Sequence, residues 1–248
     1  MNGGITMSLE VTNVSGGYGR VPVLHDVTFS VPDGQVVGLI GLNGAGKSTT
    51  IKHIIGLLQP QTGTITVDGL TLASDANAYR GSIAYVPETP VLYPELTLRE
   101  HLELAMMAYG LDQQQAWHKL DRLLAMFRLD NKLDWFPDNF SKGMKQKVMI
   151  ASAFMTDAQL FIIDEPFTGL DPVAVHDLIT LVNEQKARGA AVLMSTHVLA
   201  TAQEYADGFV LLRDGQVRAQ GSLSALRDEF NLPNASLDDI YMAMTQEV

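Results

Sequence analysis

The segment Gly41-Leu-Asn-Gly-Ala-Gly46-Lys47-Ser48 follows directly on the apolar run Val36-Val37-Gly38-Leu39-Ile40, and it leaves few folds open. Glycines at 41, 44 and 46 let a short stretch of backbone curl until several N–H groups point inward. A helix expected from about Ser48 to Leu58 adds its positive end to that cradle. Lys47 can reach β- and γ-phosphates, the Ser48 hydroxyl can ligate Mg²⁺, and Asn43 and Thr49 belong to the same turn. Average residue frequencies give the pattern by accident in on the order of one chain in a hundred of this length. A buried strand, this loop and a helix imply a site for a nucleoside triphosphate with Mg²⁺.

The rest of the chain supports an α/β reading. Leu160-Phe-Ile-Ile163 and Ala191-Val-Leu-Met194 are short apolar runs of the kind that form parallel strands buried on both faces, and a helical pattern runs from Ala174 to Lys186. Leu9–Val14, Val27–Val31 and Gly63–Val67 alternate apolar and polar residues instead, with Gly16-Gly17 and Asp33-Gly34 read as breaks, so an antiparallel sheet should pack on the parallel one. A helical insertion is expected over Leu98–Phe136. Thr97-Leu-Arg-Glu100 has capping-box spacing, Gly110 should close the first helix and Asp112 open the second, with Trp117, Leu120, Leu124 and Phe127 on one face. Met106-Met107 reads as core filler, and Ser236 with Asp239 as the cap of a last short helix.

The second chemical landmark is Leu160-Phe-Ile-Ile-Asp164-Glu165-Pro166, an apolar strand ending in two carboxylates. Side chains alternate along a strand, so the two should diverge, Asp164 toward the metal and Glu165 toward the attacking water. A net charge of −11 disfavours a general nucleic-acid binder, and zero cysteines exclude disulfides and thiolate metal sites. No apolar run approaches the roughly 20 residues that span a bilayer, and Met1–Leu9 lacks the pattern of a signal peptide. Met1 and Met7 are equally plausible starts. His25, His53, His101, His118 and His176 lack a partner pattern and are expected on the surface or on helix faces.

With these two motifs placed, the chain from about Leu9 to Thr245 resembles the nucleotide-binding domain of ABC transporters. Phe140-Ser-Lys-Gly-Met-Lys-Gln146 stands where that family carries its signature, Phe167-Thr-Gly-Leu-Asp171-Pro172 looks like its D-loop, and Ser195-Thr-His197 like its switch histidine. Gly16-Gly-Tyr18-Gly resembles the loop whose aromatic ring stacks on adenine. The strings Ile83-Ala-Tyr-Val-Pro-Glu-Thr-Pro-Val-Leu-Tyr93, Trp135-Phe-Pro and Leu193-Met-Ser-Thr-His197 are similar to the ATP-binding subunit of Ecs-type bacterial exporters.

The resemblance implies a P-loop NTPase fold with a RecA-like parallel core, an antiparallel β subdomain and an inserted α-helical subdomain. Residues 1–87 and 158–215 would form the core with its β subdomain, 88–157 the helical part and 216–248 a C-terminal extension of one domain. It implies ATP held by Tyr18, Gly41, Asn43, Gly44, Gly46, Lys47, Ser48 and Thr49, with Mg²⁺ on Ser48, Asp164 and Glu88. Glu165, His197 and Lys47 would be catalytic, and Ser141, Gly143 and Asp171 would meet the nucleotide of a second copy or related subunit. A separate integral membrane subunit, a place on the inner face of the cell membrane and export of peptides or proteins follow from the same resemblance, with no nucleic acid partner. The rival is an ABC-type ATPase or ATP-dependent switch with no membrane partner. Two departures stand out: Glu88 replaces the family's usual Gln, and Lys142 and Met144 replace a Gly and a Gln of the signature.

Overall fold

The computed structural model describes residues 7–246. Residues 1–6, on which the choice between Met1 and Met7 as a start depends, lie outside the described residues. The chain opens with strand β1 (Met7–Tyr18), which turns into β2 (Val21–Pro32). Leu9, Val11, Val14, Val27, Phe29 and Val31 are buried while polar neighbours stay out, the alternation of a sheet with one wet face. Gly16-Gly17 does not break this strand. Register shifts surround both glycines, and a Cβ at Gly16 would fall 2.4 Å from the His53 ring, one at Gly17 2.1 Å from the Val21 carbonyl oxygen. The glycines let β1 continue through a crowded passage rather than end there.

Strand β3 (Val36–Ile40) is buried at all five positions and leads through the glycine-rich loop into helix α1 (Lys47–Ile54). The helix stops at Ile54, short of Leu58, because Gly56 takes φ 74° and the Leu57 and Leu58 N–H groups turn back onto the Lys52 carbonyl. Strand β4 (Thr62–Val67) completes an antiparallel sheet in the order β2-β1-β4. Helix α2 (Ala76–Gly81), capped by Asp75, then leads to strand β5 (Ile83–Val86).

The helical insertion follows. Helix α3 (Leu98–Tyr109) starts in the expected Thr97–Glu100 capping box and closes at Gly110 with φ 63°. Helix α4 (Gln113–Phe127) is capped by Asp112, and helix α5 (Lys142–Phe154) by Ser141. Leu102, Met106, Leu120, Leu124 and Phe127 share a core with Val148 and Ile150. Met107 does not join them: it sits one position, about 100°, further round the helix and is 67% exposed.

Strand β6 (Leu160–Asp164), helix α6 (Pro172–Ala187), strand β7 (Ala191–Thr196), helix α7 (Leu199–Tyr205) and strand β8 (Gly208–Arg213) return the chain to the parallel sheet. Strand β9 (Gln216–Gly221) pairs antiparallel with β8, and helices α8 (Leu223–Glu229) and α9 (Leu237–Gln246) cover that end. The six strands run β5-β6-β7-β3-β8-β9, parallel except for the last pair. Ile40 lies beside Thr196 and Asp164 beside Ser195, so the loops leaving β3, β6 and β7 emerge from one edge. This is an α/β fold built on a mostly parallel sheet, and that edge is where such sheets place their ligand crevice.

Candidate active site

A cavity of about 320 Å³ opens at this edge, lined by Asn43, Gly44, Gly46, Lys47, Ser48 and Thr49 from the loop and the start of α1. Two glycines give the loop its shape: Gly44 has φ 84° and Gly46 φ 109°, conformations an L side chain rarely adopts. Gly41 answers a different need, since a Cβ there would lie 2.6 Å from the Leu212 carbonyl oxygen. Across the cavity stand Tyr18, Glu88, Glu165 and His197. Tyr18 is half-exposed and accepts a hydrogen bond on its hydroxyl from Lys52 at 2.9 Å, which lowers its pKa and leaves a fixed aromatic wall.

The charged groups are already arranged. The Lys47 ammonium donates to the Gly41 carbonyl at 2.7 Å and lies 3.6 Å from Glu165 Oε1, while His197 Nδ1 is 2.9 Å from Glu165 Oε2. Glu165 is buried and its φ is 47°. A non-glycine residue held there is strained by about 1–3 kcal/mol. Asp164 and Glu165 do diverge, but by another route than strand alternation: β6 ends at Asp164, and the left-handed turn at Glu165 swings the second carboxylate into the cavity. Pro166 starts no helix; Asp171 caps α6 instead.

Asp164 is buried against β7, where Ser195 donates a short hydrogen bond from its hydroxyl to Oδ1. Burial raises the Asp164 pKa, opposed by the Ser195 hydrogen bond; the charges of Glu88 and Glu165 raise it further and that of Lys47 opposes them. Ser195 also takes the Glu165 N–H at 3.1 Å, so this one hydroxyl sets both carboxylates. Ser195 is wholly buried near the end of β7, and all that the sequence offers for it is a polar residue closing the apolar run Ala191–Met194. Among the described residues no three His, Cys, Asp or Glu side chains form a metal cage. Ser48 and exposed Glu88 line the cavity and buried Asp164 does not; oxygen donors of these kinds suit Mg²⁺, which is commonly bound through one or two carboxylates together with substrate phosphates.

Ser141, Gly143 and Asp171 do not line this cavity. Ser141 caps α5 by accepting the Met144 N–H at 3.2 Å, and a Cβ at Gly143 would lie 2.5 Å from the Gly169 carbonyl oxygen. Asp171 accepts a hydrogen bond from Lys147 at 2.8 Å and the Ala174 N–H at 3.0 Å, which together lower its pKa to about 2. Of the histidines expected on the surface or on helix faces, His53 and His101 lie on helices α1 and α3 and are buried there. His101 bridges the Tyr93 N–H and the Thr97 carbonyl, and His53 lies against Gly16 with neither ring nitrogen paired among the described residues. Among the described residues no helix is long and apolar enough to cross a membrane.

Comparison with known proteins agrees with this geometry. The family model described as ABC transporter matches residues 24–168. The chain is 56% identical to the ABC-type transporter ATP-binding protein EcsA of Bacillus subtilis (strain 168), over 96% of this chain and 97% of that protein. It is 37% identical to the Nod factor export ATP-binding protein I of Rhizobium meliloti (strain 1021), over 90% of this chain and 67% of that one. A solved structure described as an ATP binding subunit of an ABC transporter matches with a TM-score of 0.93 at 57% identity, covering 97% of this chain and 100% of that one. The chain belongs to the ABC transporter family, as one of its ATP-binding, ATPase subunits.

Proposed function

We propose that this chain drives a bacterial exporter of peptides or secreted proteins from the inner face of the cell membrane. In this reading it hydrolyses ATP at the cavity behind Lys47 while bound to a separate integral membrane subunit. The word export in the name of one relative and the similarity to Ecs-type strings support that direction. Residues 1–87 with 158–215 are the ATP-binding core, 88–157 the surface that meets the membrane subunit, and 216–248 an extension. Asn43, Gly44, Gly46, Lys47, Ser48 and Thr49 take the phosphates and Tyr18 the adenine. Mg²⁺, held by Ser48 and Asp164 with Glu88 beside them, would neutralise phosphate charge.

The observation that carries the chemistry is Glu165, clamped between Lys47 and His197 at the cavity wall. An ionised carboxylate there can take a proton from a water aimed at the γ-phosphate, and His197 keeps it from turning away. Ser141, Gly143 and Asp171 lie outside the cavity, so in this reading they serve the nucleotide of a second copy or a related subunit. ATP then favours the closed pair, and hydrolysis releases it. Glu165→Gln keeps the shape and removes the base. Nucleotide affinity should stay within a few-fold while hydrolysis falls by about 10²- to 10⁴-fold. Turnover near wild type in that variant would sink the assignment.

A further inference from the structure

Helix α9 reaches the nucleotide loop through one residue. Tyr241 is buried, and its hydroxyl accepts the Leu42 N–H at 3.1 Å, joining two ends of the chain at the loop's second position. The ring packs in a cluster with Ile40, the last residue of β3, and with Phe209 and Leu237. The helix that carries it is pinned at both ends. Gln203 accepts the Leu237 N–H at 2.6 Å, and the Arg213 guanidinium donates to the Met244 and Thr245 carbonyls at 3.3 and 3.1 Å. Elsewhere on the loop the Ala45 carbonyl accepts the Gly215 N–H at 3.0 Å.

These contacts divide the loop's polar groups in two. The Leu42 N–H is taken by the Tyr241 hydroxyl and so is not offered to phosphate oxygens, while the Ala45 carbonyl, an acceptor that phosphate cannot use, is satisfied by the Gly215 N–H. A short glycine-rich loop held only by its ends would have to be ordered as the anion binds, at a cost in affinity. Fixing its outward groups beforehand removes part of that cost. We propose that Tyr241 is a positioning residue for nucleotide binding, which sets the curl of the loop by holding the Leu42 amide. By linkage, nucleotide in the loop also tightens the docking of α9. The inference rests on the reading of this loop as the ATP phosphate site.

The test is Tyr241→Phe in the full chain, which keeps the ring and loses only the acceptor. Losing one such bond should weaken MgATP binding by about 3- to 10-fold. KM should rise by the same factor, with kcat within about twofold, because no reacting group is touched. In the wild type, MgADP should slow amide hydrogen exchange over residues 237–245, and this protection should shrink in the variant. Should that variant fail to fold, Arg213→Met releases the far end of α9 without touching the loop, and should weaken MgATP binding in the same direction. A lowered Tm with MgATP affinity and α9 protection unchanged overturns the inference and leaves Tyr241 a packing residue. Absence of MgATP binding by the wild type overturns the proposed function instead.

Discussion

The two halves of the predicted ATP machinery are built on opposite terms. Around Lys47 the chain accepts local penalties: Glu165 at φ 47°, Asp164 buried with its pKa raised, and two carboxylates and an ammonium in one cavity. Around Ser141 the same chain is at ease. Ser141 and Asp171 are good N-caps, and Lys147 satisfies Asp171 where both are reachable by water. Strain and desolvation persist only when the surrounding structure over-determines them, which is the signature of preorganised chemistry. The Ser141 side carries less of this: buried Gln146 on α5 leaves its Oε1 unpaired among the described residues, but Ser141 and Asp171 are satisfied in their caps.

Gly143→Ala attacks the relaxed half. The added carbon would lie 2.5 Å from the Gly169 carbonyl, so the start of α5 must shift. Misplacement of positioning groups by about 1 Å can lower turnover by about 10²-fold, whereas nucleotide binding to the separate chain, which uses the other half, should be unchanged. Loss of affinity together with turnover would erase the distinction between the halves. Asp164→Asn tests the strained half. It removes a carboxylate whose charged form burial disfavours, so the nucleotide-free chain should gain about 1 kcal/mol, or about 2–4 °C in Tm, while Mg²⁺-dependent hydrolysis is lost. A drop in Tm on calorimetry would show that Asp164 serves the fold as well as the site.

The same contrast governs what could be read in the residues. The glycine-rich loop, the apolar strands and the caps at Thr97, Asp112 and Ser236 are local: spacing and side-chain chemistry dictate them wherever the chain goes. Asp164 and Glu165 were visible as carboxylates closing an apolar run, but the turn that parts them was not, because it depends on the Ser195 hydroxyl across β7. Ser141 and Asp171 look like ordinary caps in isolation and gained a role only by resemblance. The passage of β1 through Gly16 and the burial of His53 on its helix face share a related cause. A glycine pair in a strand and a histidine in a helix each carry weak local signals, and only their tertiary contact explains both.

His53 offers the smallest and most delicate measurement. It lies on α1 behind the phosphate loop, buried, with its pKa lowered by desolvation and no partner for either nitrogen among the described residues. The folded chain therefore binds fewer protons than the unfolded one at mildly acidic pH. Its stability should be whole above the ordinary histidine pKa of about 6.5 and fall as pH drops below it, at up to about 1.4 kcal/mol per pH unit from this residue. His53→Met keeps an apolar chain of similar reach with a flexible end that can avoid Gly16. It should stabilise the chain by about 1 kcal/mol at pH 7 and by more at pH 5.5, in urea titrations of both proteins. The gap between the two curves must widen toward acid. A constant gap would mean that the protonated His53 ring finds a hydrogen-bond acceptor in solution, and that burial behind the loop does not carry the penalty seen in front of it.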